Sequence, residues 1–368
     1  MMKAKKQIYG MTPYQPGKPI EEVKKELGLS EVIKLASNEN PHGASDRVKH
    51  TLEETAALLE IYPDGYAAAL RKKTADFLGV KGEQLVFGAG SDEVILMLCR
   101  TFLDHTTNTV MATPSFSQYK HNALIEGAEI REVPLSEGVH DLDAMLEAID
   151  EQTRIVWVCN PNNPSGTYVD DKAFRKFVEQ VPEHVLIVSD EAYIEYVTAD
   201  DYPQTMSMLA DTPNLMLLRT FSKAYGMASL RVGFGIASEE LISLVDRVRP
   251  PFNLTTTSQV AAIEALEDQE HIKQCVADNE EGLKELQAFC SKHDLTYLPT
   301  QTNFLLIYVK VPGDIMFNAL LKKGFIVRSG QALGFPEAIR VTIGTKEQNK
   351  AFMTAFAACL DEVNVSSK

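Results

Sequence analysis

The sequence is poor in cysteine, and its five cysteines lie far apart without a single CxxC pair. This spacing argues against a disulfide framework and predicts buried thiols in a reducing compartment. No stretch reaches the roughly 18 uninterrupted apolar residues that a membrane span needs. The basic start, MMKAKKQIYG, lacks the apolar segment of a signal peptide. Together these absences predict a cytoplasmic protein.

Positive charge is also scarce, since 51 acidic residues oppose 36 basic ones and the formal net charge is −15. The charge is spread along the chain, which argues against nucleic acid or an anionic membrane as a partner and favours a soluble enzyme. The eight histidines are scattered and no HExxH motif occurs, so no metal site is predicted.

The pattern of apolar runs divides the chain into three parts. Residues 1–45 are irregular apart from a helix predicted at 20–27, and this N-terminal segment is expected to pack with the C-terminal part. In residues 46–255, helical periodicity at 47–60, 66–78 and 92–103 alternates with apolar runs that are typical of strands buried on both faces. These runs are LVFG at 85–88, TVMAT at 109–113, IVWVC at 155–159, VLIVSD at 185–190, LMLLR at 215–219 and VGFGI at 232–236.

The C-terminal part, residues 256–368, has a different rhythm. A long helical stretch at 258–293 precedes the strand-like runs NFLLIYV, FIVR and AIRVTI, which alternate with helices at 314–323 and 346–361. The predicted fold is therefore α/β, with a large domain built on a mainly parallel mixed sheet flanked by helices, and a smaller α+β domain. In such sheets ligands bind beyond the carboxyl ends of the strands.

Three polar side chains follow two of the predicted strands. Lys223 comes shortly after a strand among small and apolar residues, where desolvation would lower its pKa and make it a nucleophile toward carbonyls. Asp190 ends a strongly apolar strand, so its carboxylate needs a buried cation, and a protonated pyridine nitrogen would serve. Tyr193 could donate a hydrogen bond to a phenolate oxygen. Taken singly, a surface lysine and a helix-capping aspartate are the commoner explanations.

Two turns at strand ends add further candidates. The run CNPNNPSG at 159–166 forces an irregular turn that would present the side-chain amide of Asn163. In FGAGSDEVI at 87–95, glycines permit close backbone approach, and Ser91 or Asp92 opens a helix whose free N–H groups suit a phosphate. Either turn alone is also typical of a purely structural connection.

Arginines and hydroxyls complete the set of candidates. Arg231, with Thr220 and Ser222 nearby, offers the second half of a phosphate site. Arg328 and Arg340 lie in or at the end of apolar strands, where a guanidinium needs an anion, although an internal salt bridge would satisfy either. Together the candidates suit a phosphate, a ring nitrogen, a phenolate oxygen, an imine and an anionic substrate, and no purely structural explanation accounts for all of them.

These residues resemble those of the fold-type I pyridoxal-phosphate (PLP) aminotransferases, and the similarity runs over nearly the whole chain. The matching motifs are NPNNPSG, SDEAY, SKAYGMASLRVGF and AIRVTIGT. Within that group the chain is similar to the histidinol-phosphate aminotransferases in the motifs YQPGKP, LASNENPHG and YPDG. The family usually has threonine where Ser165 stands, and the hydroxyl is retained.

The resemblance implies a role for each position. Lys223 resembles the lysine that holds PLP as an imine and moves a proton between Cα and C4′, and Asp190 resembles the partner of the pyridine nitrogen. The other residues implied to bind the cofactor are Tyr193 and Asn163 at the ring oxygen, Phe116 against the ring, and Gly90, Ser91, Asp92, Thr220, Ser222 and Arg231 at the phosphate. Tyr62 resembles a tyrosine that reaches the neighbouring subunit's phosphate, which implies a homodimer. The residues implied to bind substrate are Tyr14, Asn38, Arg328 and Arg340.

The implied reaction is transamination of L-histidinol phosphate with 2-oxoglutarate in histidine biosynthesis, giving imidazole acetol phosphate and L-glutamate. Three alternatives stay open: an aromatic amino acid aminotransferase, a threonine-phosphate decarboxylase, and a PLP-binding sensor domain without enzyme activity. The first two would keep the cofactor residues and differ on the substrate side. The sensor would need an appended DNA-binding module with a basic face, which the acidic charge disfavours.

Overall fold

The computed structural model describes residues 2–13, 18–55 and 60–366. The α-helices are α1 Ile20–Leu27, α2 Asp46–Thr55, α3 Ala68–Leu78, α4 Ser91–Phe102, α5 Ser117–Glu126, α6 Leu142–Glu147, α7 Asp171–Gln180, α8 Thr205–Met208, α9 Glu239–Asp246, α10 Thr256–Glu267, α11 Gln269–Lys292, α12 Gly313–Lys322 and α13 Lys346–Ser366. The strands are β1 Ile33–Lys34, β2 Leu85–Gly88, β3 Asn108–Thr113, β4 Glu129–Pro134, β5 Thr153–Cys159, β6 Leu186–Asp190, β7 Leu215–Thr220, β8 Gly233–Ile236, β9 Phe304–Tyr308, β10 Phe325–Ile326, β11 Arg328–Ser329 and β12 Ala338–Thr342. In the described part of the chain, no helix is long and apolar enough to cross a membrane.

The larger sheet has seven strands in the order β2-β8-β7-β6-β5-β3-β4. Its pairs are parallel except that β8 runs antiparallel to both β2 and β7, which confirms the predicted mainly parallel mixed sheet. The six predicted strands are all present, with ends within about two residues of the apolar runs. The sequence analysis missed β4, because this edge strand reads EIREVP and buries little besides Val133.

Successive side chains of the central strands point to opposite faces of the sheet, and each face has its own apolar cluster. On β5, Val156 and Val158 face one cluster, whereas Trp157 and Cys159 face the other. Both layers consist of helices, so the sheet is buried on both sides and its strands can be continuously apolar. The same alternation on β6 places Asp190 on the face of Val188, beside Cys159 of the neighbouring strand.

The C-terminal part contains an antiparallel sheet in the order β11-β12-β9. Its core includes Phe352 and Phe356 of α13. The N-terminal segment contacts both parts of the chain: β1 pairs with β10, whereas Gln7 donates a hydrogen bond to the carbonyl of Ile125 in α5 at 2.9 Å. The domain boundaries near residues 45 and 255 stay a prediction.

Two predicted helices differ in extent from those observed. The stretch predicted at 258–293 is divided into α10 and α11 at Asp268, whose side chain accepts a hydrogen bond from the backbone of His271 at 3.3 Å and so caps the second helix. The helix predicted at 47–60 is described as far as Thr55, and residues 56–59 lie outside the described part of the chain.

Candidate active site

The ends of β2, β5, β6 and β7 meet at a cavity of about 400 Å³. Its walls are Ser91, Asp92, Phe116, Gln118, Cys159, Asn163, Asp190, Ala192, Tyr193, Thr220, Ser222, Lys223 and Arg231. These include all the predicted cofactor residues except Gly90 and Tyr62. The parallel strands bring the residues together because their carboxyl ends lie at one edge of the sheet.

Lys223 lies in the loop after β7 and lines the cavity. Its Nζ donates a hydrogen bond to the carbonyl of Ser37 at 3.1 Å and lies 5.8 Å from the ring centroid of Tyr193. Burial lowers the pKa of Lys223 to about 8, and the nearby cation of Arg340 acts in the same direction. Near neutral pH a fraction of this side chain is therefore the free amine, which is the form that attacks a carbonyl carbon.

Asp190 is buried at the end of β6 and carries one strong hydrogen bond. The hydroxyl of Tyr119 donates to its Oδ2 at 2.6 Å, and the backbone of Ala192 donates to its Oδ1 at 3.2 Å. Burial raises the pKa of Asp190 to about 6, against the lowering effect of Tyr119. Among the described residues no lysine or arginine forms an ion pair with this carboxylate. A cationic ring nitrogen in the cavity would supply the missing opposite charge.

Tyr193 and Asn163 are both held by neighbours and keep a donor for a ligand. Asn38 Nδ2 donates to the hydroxyl oxygen of Tyr193 at 2.9 Å, which leaves the phenolic hydrogen to be donated elsewhere. Burial raises the pKa of Tyr193, so it stays a phenol. Arg340 donates to Oδ1 of Asn163, which leaves the amide NH₂ group as a donor. The side-chain oxygen of Asn38 accepts from Thr342 at 3.0 Å, so the predicted substrate residue Asn38 also positions Tyr193.

The predicted phosphate site forms around the start of α4. Arg231 Nη1 donates to Ser222 Oγ at 3.1 Å, and its Nη2 lies 3.4 Å from a carboxylate oxygen of Asp92. Gly90 precedes the helix with φ +80°, and a Cβ there would lie 2.5 Å from Arg231 Nη2. The free N–H groups from Ser91 onward and the guanidinium thus face the same space, which suits an anion.

A buried ion pair that the sequence analysis missed lies behind this wall. Arg219 Nη2 donates to Glu191 Oε2 at 3.0 Å, and Glu191 is fully buried. The pair joins the ends of β6 and β7, which carry Asp190 and the hydroxyl of Thr220. Thr220 in turn accepts a hydrogen bond from the backbone of Ser222 at 3.1 Å. In the sequence, the only sign of this pair is that Glu191 and Arg219 stand at the ends of apolar runs, where a charge needs a partner of opposite sign.

A second cavity of about 640 Å³ adjoins the first, since Phe116, Asn163 and Lys223 line both. Arg328 and Arg340 face each other across β11 and β12, and both line this second cavity. Within the described residues the side chain of Arg328 has no hydrogen-bond or ion-pair partner. Like charges on paired strands are unfavourable in isolation, so the arrangement suits an anion bound between the two guanidiniums.

One predicted residue lies elsewhere, and another is outside the described part of the chain. Tyr62 is 81% exposed, stacks on Phe252 with ring centroids 4.9 Å apart, and does not reach this chain's own cavity. Tyr14 lies outside the described residues, although its neighbours Thr12 and Pro13 line the second cavity. Tyr119 was missed by the sequence analysis, even though it stands three residues after Phe116 in the motif TPSFSQY.

The chain is similar to known aminotransferases over nearly its whole length. Residues 30–356 match the family "Aminotransferase class I and II". Histidinol-phosphate aminotransferase of Halalkalibacterium halodurans is 60% identical over 361 residues, covering 98% of both chains. The enzyme of the same name from Bacillus subtilis is 56% identical over 360 residues, covering 98% of this chain and 100% of its own.

Two solved structures share the fold. The histidinol-phosphate aminotransferase of Sinorhizobium meliloti in complex with pyridoxal-5′-phosphate superposes with a TM-score of 0.90 at 23% identity, covering 99% of each chain. The aspartate aminotransferase of Thermus thermophilus with maleate has a TM-score of 0.84 at 19% identity, covering 98% of this chain and 100% of its own. By its fold, its family match and its close relatives, the chain belongs to the class I and II aminotransferases and, among them, to the histidinol-phosphate aminotransferase family.

Proposed function

We propose that this chain transfers the amino group of L-histidinol phosphate to 2-oxoglutarate, with PLP as cofactor, and thereby serves histidine biosynthesis in the cytoplasm. The observation that supports this most directly is the convergence on one cavity of an amine with lowered pKa, a buried carboxylate without a cation, and a guanidinium at a helix start. A second cavity with paired arginines adjoins it and offers room for an anionic substrate.

PLP fits the residues of the first cavity in chemistry and in size. The aromatic ring of Phe116 would lie against the cofactor ring, and the acceptor Asp190 would face its nitrogen. Tyr193 and Asn163 keep donors for the ring oxygen. The start of α4 with Arg231 would take the phosphate. A volume of about 400 Å³ lies in the range of small-ligand sites.

When bound, PLP supplies an aldehyde that takes up the amine and a protonated ring that withdraws electrons from the substrate's Cα. Lys223 would hold the cofactor covalently through Nζ. As a free amine, the same Nζ would move a proton from Cα of the substrate to C4′ of the cofactor. A pKa of about 8 lets the same amine accept and return a proton near neutral pH.

Two buried side chains would set the protonation at the two ends of the cofactor ring. Asp190, ionised above its pKa of about 6, would keep the ring nitrogen protonated. Tyr193, whose pKa burial raises, would donate its hydroxyl hydrogen to the ring oxygen without losing it to water. Both side chains are almost fully buried, which strengthens each hydrogen bond relative to one in water.

The two half-reactions place different anions in the second cavity. Histidinol phosphate has a phosphate ester where glutamate has its α-carboxylate, so the same guanidinium of Arg340 can bind either group. Arg328, on the paired strand, would add the second cation that a doubly charged phosphate prefers. Tyr14, on the N-terminal segment, would close over the imidazole ring.

We further propose a homodimer in which Tyr62 reaches the phosphate of the partner's site. The high exposure of Tyr62 and of its neighbours Ile61 and Phe252 supports this proposal, because an exposed apolar patch is typical of a protein–protein interface. Although Tyr62 does not reach the cavity of its own chain, it could contribute to the cavity of the partner subunit.

A panel of amine donors tests the proposal. Each donor is added to the PLP-loaded enzyme without a keto acid, and the loss of the cofactor's visible absorbance is followed over one turnover. Histidinol phosphate should react faster than phenylalanine or threonine phosphate, and 2-oxoglutarate should restore the absorbance. Faster reaction of an aromatic amino acid, or release of CO₂ from threonine phosphate, would support one of the rival activities. Cofactor binding without reaction of any donor would favour a sensor.

A further inference from the structure

Tyr119 holds the carboxylate of Asp190 from behind the cavity wall. Its hydroxyl donates to Asp190 Oδ2 at 2.6 Å, a short distance typical of a hydrogen bond to an ionised carboxylate. The side chain of Tyr119 is 1% exposed. Tyr119 does not line the cavity itself. Burial and the adjacent carboxylate both raise the pKa of Tyr119 well above its ordinary value, so it remains the donor in this bond.

The ring of Tyr119 is fixed in place by two aromatic neighbours. It stacks on Trp157 with centroids 4.7 Å apart and an interplanar angle of 11°, and it meets Phe116 edge-on at 5.5 Å. Trp157 is anchored by its indole N–H, which donates to Thr109 Oγ1 at 2.8 Å. A phenol held this way loses little conformational entropy in its hydrogen bond, because the stack already restricts the ring.

We propose that Tyr119 is a positioning residue for the cofactor: its hydroxyl orients the Asp190 carboxylate and keeps it ionised toward the ring nitrogen of PLP. This inference rests on the proposed function, since it gives Asp190 that task. The alternative is that Tyr119 only fills the core beside Trp157, in which case its hydroxyl would matter for stability alone.

The direction of the effect follows from the groups around Asp190. The titratable groups that act on it or lie beside it are Tyr119 from α5, Asp92 from α4, Cys159 from β5, Glu191 and Tyr193 after it in the chain, Tyr202 before α8, and Lys223 across the cavity. The pKa of Asp190 is raised to about 6: burial has the largest effect, the carboxylates of Asp92 and Glu191 act in the same direction, and the Tyr119 hydrogen bond opposes them. Removing the hydroxyl therefore leaves less of the carboxylate ionised at neutral pH.

Tyr119→Phe is the test, because it keeps the stacked ring and removes only the hydroxyl. In cofactor-free protein with ¹³C-labelled aspartate, the pKa of Asp190 should rise by about one unit, and PLP affinity measured by spectral titration should fall about tenfold. The acid limb of the activity profile should move to higher pH by a similar amount. Asp190→Asn identifies the resonance.

Tyr168→Phe provides the matched control, since it removes another tyrosine–aspartate hydrogen bond of 2.6 Å, to Asp201 at the surface. It should leave all three measurements unchanged. Should Tyr119→Phe fail to fold, 3-fluorotyrosine at position 119 replaces it: the more acidic phenol donates more strongly, and the pKa of Asp190 should fall. An unchanged Asp190 pKa together with wild-type PLP affinity in a folded variant would overturn the inference. The pKa measurement needs neither PLP nor substrate, so its result is independent of the donor panel.

Discussion

On the cofactor side of the site, which is the first cavity, the polar side chains form hydrogen bonds with one another. On the substrate side, which is the second cavity, the side chain of Arg328 has no hydrogen-bond or ion-pair partner among the described residues. Tyr119 donates a hydrogen bond to Asp190, and Arg231 donates one to Ser222, both near the ends of strands of the larger sheet. The substrate side combines β11 and β12 with the N-terminal residues Thr12 and Pro13. The cofactor side is therefore organised before any ligand binds, and the substrate side leaves charge for the ligand to neutralise.

Lys223→Ala should give the largest loss, because it removes the amine that we propose for both half-reactions. Turnover with either histidinol phosphate or glutamate should fall at least about 10³-fold, and the visible absorbance of the covalently held cofactor should disappear. Borohydride should no longer attach PLP to the chain. Lys72→Ala, at an exposed position on α3, serves as the control and should behave as wild type. Normal turnover in Lys223→Ala would refute its role.

Arg328→Gln should separate the two sides, because it removes charge only where we propose that the phosphate of the substrate binds. We expect kcat/KM for histidinol phosphate to fall about 10- to 100-fold, and that for glutamate to fall less than about threefold. The free energy of unfolding without ligand should rise by about 0.5 kcal/mol, since the repulsion with Arg340 is relieved. Arg175→Gln, at the surface, is the control. Equal losses for the two substrates would argue against binding of phosphate by Arg328.

Buried and exposed strands differ in how well the sequence alone predicts them. Buried strands of the larger sheet consist of apolar runs. Charged residues at or shortly after their ends, such as Asp190 and Lys223, are conspicuous because they interrupt an apolar pattern. Edge strand β4 has no such run, since Glu129 and Glu132 lie on it, and it was missed.

Contacts between distant segments could not be derived from local patterns. Tyr119 and Asp190 are 71 residues apart, and nothing in the run SFSQY indicates which carboxylate the phenol meets. The cross-strand pairing of Arg328 with Arg340 likewise depends on the register of β11 and β12. Propensity and periodicity determine elements, but register and helix packing determine which side chains meet.

Gly90→Ala should weaken the cofactor side alone. The new Cβ would lie 2.5 Å from Arg231 Nη2 and displace the guanidinium, so we expect PLP affinity to fall about tenfold. At φ +80° and ψ 169°, a backbone conformation that essentially only glycine adopts, the alanine adds about 1 to 3 kcal/mol of strain. Gly79→Ala is a control for positive φ without a clash, because its φ is +69° and its ψ is 33° while nothing lies within 4 Å of the new Cβ. Gly90→Ala should lose more stability than Gly79→Ala, which should bind PLP as wild type does, and an equal loss of PLP affinity in both variants would argue against displacement of Arg231.

Tyr62→Phe should have the smallest effect and decides whether the cofactor side is built from one chain. It keeps the stack on Phe252 and removes one hydroxyl, so PLP affinity should fall about threefold to tenfold. In dimers reassembled from Tyr62→Phe and Lys223→Ala chains, the one site that retains Lys223 should regain wild-type affinity, because the partner chain supplies its tyrosine. If that site keeps the affinity of the Tyr62→Phe homodimer, the tyrosine acts within its own chain. The preorganised half of the site would then belong to a single subunit, and the proposed exchange of Tyr62 between subunits would be wrong.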